Sequence, residues 1–411
     1  MYYAFGLLFL QFDVVGIFFK EAPKGHNDYI PALLQFDVVG IFFKEVKRLD
    51  DQFYMQLALE LARGTKGQTS PNPQVGAVVV NQGRIVGMGA HLKAGEAHAE
   101  VQALNMAGNL AKGSTIYVTL EPCSHYGKTP PCAEKIIQEQ VKRVVIASSD
   151  PNPLVSGRGI SLIEQAGIEV ATGVMASEAA SINESFNKFI TTGIPFVTVK
   201  TAMTLDGKIA THSGSSKWIT GEPARNHVHQ LRHEHDAIMV GIGTVLKDNP
   251  SLTVRGEQQG INPLRVIVDS KLAIPLTAKV LTDGEAPTWI FTTTSAEQGK
   301  IAQLTDLGVK VVVTRAASQV NLQEVLQHLG TEQVTSVFVE GGGTLIGSLF
   351  TEQLIDKYLC FLAPKLVGGR NAPTAIAGEG VSEMSAAVSL ERITIRSFGE
   401  DYCITGYPNW K

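Results

Sequence analysis

Residues 98–132 read HAEVQALNMAGNLAKGSTIYVTLEPCSHYGKTPPC, and this stretch decides the fold of the first half of the chain. Its pattern predicts a helix that begins near the H-A-E, an apolar strand, and a second helix that begins at the last cysteine. One histidine and two cysteines within it form a typical set of zinc ligands: His98, Cys123 and Cys132. Glu100 follows the histidine by two residues, where it can reach a metal-bound water more readily than the metal itself.

The spacing of these residues favours a catalytic metal site over a structural one. Three protein ligands leave the fourth position of a tetrahedral zinc open for water, whose pKa the metal lowers to roughly 7. Glu100 is predicted to take a proton from that water and to deliver it to a leaving amine. The pattern H-x-E…P-C…C is the signature of zinc-dependent nucleobase deaminases. A structural zinc knot or unrelated buried cysteines are the alternative, and His125 is the one residue at close spacing that would complete four ligands.

Hydrophobic periodicity predicts a layered α/β domain over residues 49–192. The predicted helices are 51–63, 98–108, 132–140, 160–166 and 177–191, and the predicted strands are 75–80, 84–88, 115–120, 143–147 and 169–172. Around the metal pattern these elements follow the order β-β-α-β-α-β.

Residues 193–411 predict a second domain with a mainly parallel, doubly wound sheet. The predicted strands are 196–200, 237–241, 264–269, 288–292, 309–314 and 336–340, and the predicted helices are 222–235, 296–306 and 321–329. Residues 340–345 (EGGGTL) lie between a strand and an apolar helix, where glycines let backbone N–H groups approach a phosphate. By itself this segment is equally consistent with a tight turn.

Composition excludes several classes of protein. The 411 residues carry 35 basic and 39 acidic side chains, so no charge excess predicts binding to nucleic acid. Four cysteines are too few for a disulfide framework, which predicts a reduced, cytoplasmic setting. Cys360 and Cys403 are interpreted as small core residues. The histidines of helix 222–235 and its end are interpreted as a polar face rather than a second metal site: His227, His229, His233 and His235.

The N-terminal segment contains an exact repeat. Residues 10–21 (LQFDVVGIFFKE) recur unchanged at 34–45. Paired strands or a membrane anchor are two interpretations, but an aspartate interrupts each apolar run and neither run approaches the ~20 residues of a membrane span. We expect residues 1–48 to be a non-native or disordered extension, with translation of the native protein starting at Leu49.

Three segments of the first half resemble one family. Residues 71–76 (PNPQVG), 94–100 (AGEAHAE) and 119–132 (TLEPCSHYGKTPPC) are similar to the deaminase half of the bifunctional riboflavin-biosynthesis deaminase/reductases, in which eight residues separate the cysteines. The resemblance implies a cytidine-deaminase-like α/β/α fold and a small substrate, a diaminopyrimidinone carrying a ribosylamino 5′-phosphate. His125 and Lys128 would offer donors to the phosphate or sugar, and Asn72 and His91 would contact the base or ribose. The alternative for Lys128 is a lysine in a solvated loop. For Asn72 and His91 the alternatives are a turn residue and a histidine whose hydrogen bonds are made within the fold.

The second half resembles the reductase half of the same family, in residues 200–210, 216–220, 241–250 and 339–343. The resemblance implies a dihydrofolate-reductase-like fold that uses NADPH to reduce the ribosyl group to ribityl. The residues implied in NADPH binding are Met203, Trp218, Thr244, Asp248, Ser270 and the turn 342–348, including Gly342, Gly343 and Thr344. Those implied in substrate binding are Lys200, Ser216, Arg232, Leu252, Arg255 and Glu340. Ordinary surface salt bridges are the alternative for the two arginines.

The expected protein is therefore one enzyme with two sites, zinc and NADPH as cofactors, and no nucleic-acid or membrane partner. A homo-oligomer, dimer or tetramer, is expected. Two other hypotheses remain: a deaminase with an inactive nucleotide-binding or oligomerisation module, and a polynucleotide-editing deaminase, against which the absent basic patch argues.

Overall fold

The computed structural model describes residues 50–126, 130–152, 156–256 and 260–410. The predicted extension over residues 1–48 lies outside them. The helices are α1 Asp51–Arg63, α2 Ala99–Ala107, α3 Cys132–Gln138, α4 Arg158–Gln165, α5 Ala176–Ile182, α6 Glu184–Thr192, α7 Glu222–His233, α8 Ile242–Asp248, α9 Lys279–Thr282, α10 Gln298–Asp306, α11 Leu322–Thr331 and α12 Gly343–Thr351. The strands are β1 Gly76–Asn81, β2 Arg84–Ala90, β3 Thr115–Leu120, β4 Arg143–Ser148, β5 Glu169–Thr172, β6 Phe196–Thr204, β7 Ala237–Gly241, β8 Leu264–Val268, β9 Thr288–Thr292, β10 Lys310–Val313, β11 Ser336–Glu340, β12 Lys357–Ala363, β13 Ser389–Phe398 and β14 Asp401–Asn409. Within the described ranges, no helix combines the length and apolar character that a membrane span requires.

The first sheet has five strands in the order β2-β1-β3-β4-β5. Strand β1 pairs antiparallel with β2 and β3, whereas β3, β4 and β5 run parallel to one another. Helix α2 lies between β2 and β3 in the chain, and α3 lies between β3 and β4. The predicted β-β-α-β-α-β order is thereby confirmed.

Two apolar cores, one on each face of the first sheet, make this part three layers thick. Val79 packs in one core with residues of α2 and α3, whereas its neighbour Val78 packs in the other with residues of α1 and α5. Successive strand residues point to opposite faces, so a strand covered on both faces must be apolar throughout. This accounts for the unbroken apolar run of β1.

Helix α2 lies so close to β2 that only glycine fits at two positions of the strand. A Cβ on Gly87 would lie 2.0 Å from the carbonyl oxygen of Ala103, and one on Gly89 would lie 2.3 Å from that of Ala99. Glycine inside a strand often marks such a close backbone approach. The contact holds the first turn of α2, and with it His98 at the N-cap, against the sheet.

The second sheet has nine strands in the order β10-β9-β8-β7-β11-β6-β12-β14-β13. The pairs from β10 to β12 are all parallel, which confirms the predicted parallel sheet. One core contains α11 and α12 and another contains α9 and α10, so the sheet is covered on both faces. Strands β13 and β14 form an antiparallel hairpin beside β12, and these three C-terminal strands are not among the predicted ones. Cys360 and Cys403 are buried in β12 and β14, as expected of small core residues.

The predicted helix 177–191 is two helices, α5 and α6, that meet at Asn183. The side chain of Asn183 is turned away from the helix axis toward the backbone of Gln74: its Nδ2 donates to the carbonyl oxygen at 2.9 Å, and its Oδ1 accepts from the N–H at 2.8 Å. The backbone of Asn183 itself has φ −104° and ψ 23°, outside the α-helical range, and this separates the two helices. The prediction of one continuous helix was therefore wrong.

Candidate functional site

The three predicted metal ligands come from three neighbouring structural elements. His98 is the N-cap of α2, Cys132 is the first residue of α3, and Cys123 lies three residues after the end of β3. Nδ1 of His98 is 3.2 Å from Sγ of Cys132 and 3.6 Å from Sγ of Cys123. The backbone N–H of Cys132 donates to Sγ of Cys123 at 3.3 Å, which favours a thiolate there.

These atoms fit a zinc ion by their chemistry and their spacing. All three ligand atoms lie within 4.8 Å of one another, and a tetrahedral zinc with ordinary Zn–S and Zn–N bonds separates two ligands by about 3.6 Å. In the part of the chain that the structure describes, this is the single group of that kind. His125 is exposed and stands outside the group, so it does not complete a four-ligand knot.

Glu100 lies in the first turn of α2 and is only 3% exposed. Burial, helped by the negative charge of Cys123, raises the pKa of Glu100 to about 7. A carboxyl group with a pKa near neutrality can both accept and release a proton at ordinary pH. The arrangement is thus suited to acid/base chemistry beside the metal ligands.

Asn72 and His91 lie together beside the metal ligands. Nδ2 of Asn72 donates to Nε2 of His91 at 3.0 Å, so Nδ1 of the imidazole is left to donate to the carbonyl oxygen of Ala97 at 3.3 Å. The His91 ring meets the His98 ring edge-on, with 5.2 Å between centroids. Burial lowers the pKa of His91, which favours this neutral form. Since its amide nitrogen is engaged, Asn72 keeps Oδ1 as the acceptor for a ligand.

Of the two remaining predicted contacts, only His125 lies in the part of the chain that the structure describes, and it is not brought into this cluster. Lys128 lies outside the described residues. His125 lines a cavity of about 840 Å³ beside the loop that precedes α4, together with Arg158.

Glu121 supports the site and was not predicted from the sequence. Its carboxylate accepts backbone N–H groups from Gly157 and Gly159 at 3.0 Å, at the start of α4, and from Asp150 at 3.2 Å. It thereby ties the segment that leads to Cys123 to the N-terminus of α4, where a negative charge is stabilised. The signal in the sequence was an acidic residue placed directly between an apolar strand and Pro122.

A second cavity, of about 740 Å³, opens at the carboxyl ends of the parallel strands in the second sheet. Ten of the predicted residues lie on its wall: Lys200, Ser216, Trp218, Arg232, Thr244, Asp248, Leu252, Arg255, Glu340 and Gly342. Such a volume is typical of a pocket for a small molecule or cofactor. The sequence motifs thus converge on one cavity.

Three charged side chains form a network in this cavity. Arg232 donates from Nε to Oε1 of Glu340 at 2.6 Å and from Nη2 to Oε2 at 3.2 Å, and Nζ of Lys200 lies 3.8 Å from Oε2. Burial opposes the charge of Glu340, but the two cations prevail and lower its pKa to about 2. Burial disfavours the charged amine of Lys200 and lowers its pKa, whereas the neighbouring Glu340 carboxylate acts to raise it.

The glycine turn after β11 is built around Thr244. Gly341 has a φ of +136°, and a Cβ on it would lie 2.8 Å from Oγ1 of Thr244. The N–H of Gly342, the N-cap of α12, donates to the same oxygen at 3.3 Å, and no side chain caps the helix. Open backbone at a helix N-terminus suits a phosphate group.

Eight residues implied in NADPH binding are not on the cavity wall: Met203, Ser270 and residues 343–348, which belong to helix α12 rather than to a turn. Gly343 is packed against the segment 374–377, and Thr344 is exposed on α12. The hydroxyl of Ser270 accepts from the N–H of Val320 at 3.2 Å, and Met203 lies near the end of β6. Their role in binding stays a prediction.

Two basic residues of the wall that were not predicted, Arg225 and His229, share a face of α7 with Arg232. They stand seven and three residues before it, a spacing that places side chains on one side of a helix and was visible in the sequence. The Arg225 guanidinium also lies 4.6 Å from the ring of Trp218. Lys247 and Lys279 add further positive charge to the wall.

The other histidines near α7 make separate contacts. His227 stacks on Phe398, with 4.6 Å between ring centroids, and Nε2 of His235 lies 3.0 Å from Oγ1 of Thr198. They form no metal-ligand group among the described residues. His235 stacks on the buried ring of Phe338. The prediction that these histidines form a polar face therefore does not hold for His235.

Comparisons with known proteins agree with both halves of the structure. Residues 48–148 match the model of the cytidine and deoxycytidylate deaminase zinc-binding region, and residues 195–404 match that of the RibD C-terminal domain. The riboflavin biosynthesis protein RibD of Bacillus amyloliquefaciens is 52% identical, over 87% of this chain and 96% of its own length. The Escherichia coli RibD protein is 40% identical, over 87% of this chain and 99% of its own length.

Two solved structures have the same fold along most of the chain. Acinetobacter baumannii RibD superimposes with a TM-score of 0.80 at 40% identity, covering 89% of this chain and all of that one. A Thermotoga maritima diaminohydroxyphosphoribosylaminopyrimidine deaminase/5-amino-6-(5-phosphoribosylamino)uracil reductase superimposes with a TM-score of 0.77 at 36% identity, covering 87% and 99%. With the metal cluster and the second cavity in place, these relationships lead to one conclusion. The chain belongs to the RibD family of riboflavin biosynthesis proteins, which join a zinc-dependent deaminase to an NADPH-dependent reductase.

Proposed function

We propose that the first site deaminates 2,5-diamino-6-(5-phosphoribosylamino)pyrimidin-4(3H)-one and that the second reduces the ribosyl group of the product to ribityl with NADPH. One observation carries the proposal: a three-ligand metal cluster with a buried carboxyl group and a separate basic cavity occur on one chain. The Thermotoga maritima relative is named for both of these reactions.

In the deaminase half, His98, Cys123 and Cys132 would hold the metal. Zinc, when bound, supplies a Lewis acid that makes a water molecule nucleophilic. Glu100 would take the proton of that water on a carboxylate oxygen and deliver it to the departing amino group, a role that suits a buried carboxyl group beside the ligands. Oδ1 of Asn72, held in place by His91, accepts a hydrogen bond from the substrate, and His125 and Lys128 hold its sugar or phosphate.

In the reductase half, the cavity wall has the features that a dinucleotide needs. The uncapped N-terminus of α12 suits a phosphate, and Trp218, Thr244 and Asp248 lie on the wall of the same cavity. NADPH, when bound, supplies the hydride. We assign Met203, Ser270, Gly343 and Thr344 to the same cofactor by family resemblance.

The substrate lies against the charged network of the reductase cavity. Arg232 and Arg255 bind phosphate oxygens through their guanidinium groups, and Ser216 and Leu252 complete the wall. Lys200 and Glu340 are placed to hold ribose hydroxyls, with Glu340 kept as an anion by its two cationic neighbours.

We also propose that the deaminase part spans residues 49–192 and the reductase part residues 193–411, and that the enzyme is a cytoplasmic homo-oligomer, a dimer or tetramer. The gap between the two matched regions supports the boundary, and four cysteines that are all free support the cytoplasmic assignment.

The test follows ammonia release and NADPH oxidation together, with the purified full chain and the diaminopyrimidinone phosphate as substrate. Equal amounts of ammonia and oxidised NADPH are expected. A chelator that removes the metal should stop ammonia release but leave NADPH oxidation intact when the deaminated product is supplied. Ammonia release without any NADPH oxidation would contradict the second activity, and the reverse result would contradict the first.

A further inference from the structure

The loop that carries Asn72 is held at both ends by residues outside the deaminase sheet. We call residues 70–74 the Asn72 loop. At its far end, Asn183 binds both backbone groups of Gln74. At its near end, the hydroxyl of Ser70 donates to Oδ2 of Asp236 at 2.8 Å, across 166 positions of the chain.

Asp236 belongs to the reductase half, immediately before β7, and its carboxylate is fixed there. The same Oδ2 accepts from the backbone N–H and the hydroxyl of Thr335, both at 2.7 Å, and from the N–H of Ser336 at 3.2 Å. The hydroxyl of Ser336 in turn accepts from the N–H of Asp236 at 2.9 Å. Hydrogen bonds to an ionised carboxylate are roughly twice as strong as neutral ones. Ser70 is therefore attached to an immobile anion.

The backbones of the two halves also approach closely beside this contact. A Cβ on Gly67 would lie 2.3 Å from the carbonyl oxygen of His233. Nζ of Lys66 forms an ion pair with Oε2 of Glu234 at 2.7 Å. Close approach limits the freedom of the residues that lead into the Asn72 loop.

A series of contacts links the loop that begins at Ser70 to the metal ligands. Asn72, two residues on, is bonded to His91, whose ring packs edge-on against His98. The position of Asn72 Oδ1 relative to the metal ligands therefore depends on where the Asn72 loop is held.

We propose that Asp236 is a positioning residue for deamination: through Ser70 it holds the Asn72 loop so that Asn72 meets the substrate of the deaminase site. The reductase half thus supplies part of the deaminase site's geometry. This inference rests on the function proposed above, because it assumes that Asn72 binds the deaminase substrate.

The test uses the full-length protein with Ser70→Ala, which removes one hydroxyl. We expect the deaminase KM to rise about five- to tenfold, less than the full effect of losing a hydrogen bond to a charged group, because Ser70 does not itself contact the substrate. We expect kcat to change less than twofold, because the metal ligands and Glu100 stay in place. Bound zinc and the reductase activity on supplied deaminated product should stay unchanged. Ser70→Thr keeps the hydroxyl and should restore a KM within twofold of the unsubstituted protein.

Asp236→Ala and the double variant complete the experiment. If the two residues act through one contact, the double variant should raise the deaminase KM no more than the larger single effect. Lys188→Ala is the matched control, since it removes an ion pair between the two halves, with Asp356, that has no part in holding the Asn72 loop, and it should leave KM unchanged. A KM for Ser70→Ala within twofold of the unsubstituted protein, or multiplying effects in the double variant, would overturn the inference. Absence of ammonia release from the unsubstituted protein would instead contradict the proposed function itself.

Discussion

Arg232 on α7 and Glu340 at the end of β11 are joined by two hydrogen bonds, 2.6 Å from Nε to Oε1 and 3.2 Å from Nη2 to Oε2. Both side chains are about nine-tenths buried, at 11% and 12% exposure. A buried pair of this kind orients both partners and leaves each one dependent on the other's charge.

Glu340→Gln should therefore damage the reductase site. The change leaves Arg232 and Lys200 without their anion, and we expect kcat/KM for NADPH oxidation to fall on the order of a hundredfold, the cost of an uncompensated buried charge. NADPH oxidation with supplied deaminated product measures this. Ammonia release from the first site is the internal control, and a parallel loss of that activity would indicate a general folding defect instead.

The same pair predicts how stability depends on pH. Because the folded protein lowers the pKa of Glu340 from its usual 4.5 to about 2, the unfolded chain binds more protons between these values. The stabilisation is complete above about pH 4.5 and is lost as the pH falls toward 2. Urea unfolding at pH 5, 4 and 3 should show a shallower fall in the free energy of unfolding for Glu340→Gln than for the unsubstituted protein. Equal slopes would contradict the assignment.

Glu100→Gln should stop deamination without removing the metal. The amide keeps the size of the side chain but cannot transfer the proton, so we expect ammonia release to fall by about 10²- to 10⁴-fold. Zinc content, measured by atomic absorption, and NADPH oxidation should be unchanged. Glu96→Gln, an exposed acid four residues earlier, is the matched control and should retain full ammonia release.

Gly89→Ala should disturb the metal site from a distance. The new Cβ would lie 2.3 Å from the carbonyl oxygen of Ala99, so α2 must move away from β2. We expect a loss of about 1–3 kcal/mol in the free energy of unfolding and weaker zinc binding, since His98 begins this helix. Gly299→Ala, at an exposed position of α10, should leave stability unchanged or slightly higher. Zinc affinity equal to that of the unsubstituted protein would show that α2 yields without moving His98.

Local patterns account for most of what could be predicted from the sequence. The strands of both sheets up to β11 are short apolar runs separated by helical periods, because each sheet is covered on both faces. Strand β13 is exposed along most of its length, so it lacks the run of buried apolar residues that predicted the other strands. The metal ligands were predictable because one histidine and two cysteines in this sequence pattern suffice for that chemistry.

Contacts between distant residues could not be predicted in this way. The hydrogen bonds between the Asn183 side chain and the backbone of Gln74 join residues 109 positions apart, and nothing near either residue indicates the pairing. The same holds for Ser70 and Asp236. Arg225 and His229, by contrast, follow from the helical spacing that places them beside Arg232.

The position of Asn183, where α5 meets α6, affects how a gene for this protein could be split into separate deaminase and reductase genes. A cut at residue 192 would leave Asn183, and so one end of the Asn72 loop, on the first product, but would place Asp236 and Thr335 on the second. An independent deaminase made in this way would need a new acceptor for the Ser70 hydroxyl. Conversely, a lineage that lost only the reductase chemistry would still have reason to keep the reductase fold, as a scaffold for its neighbour.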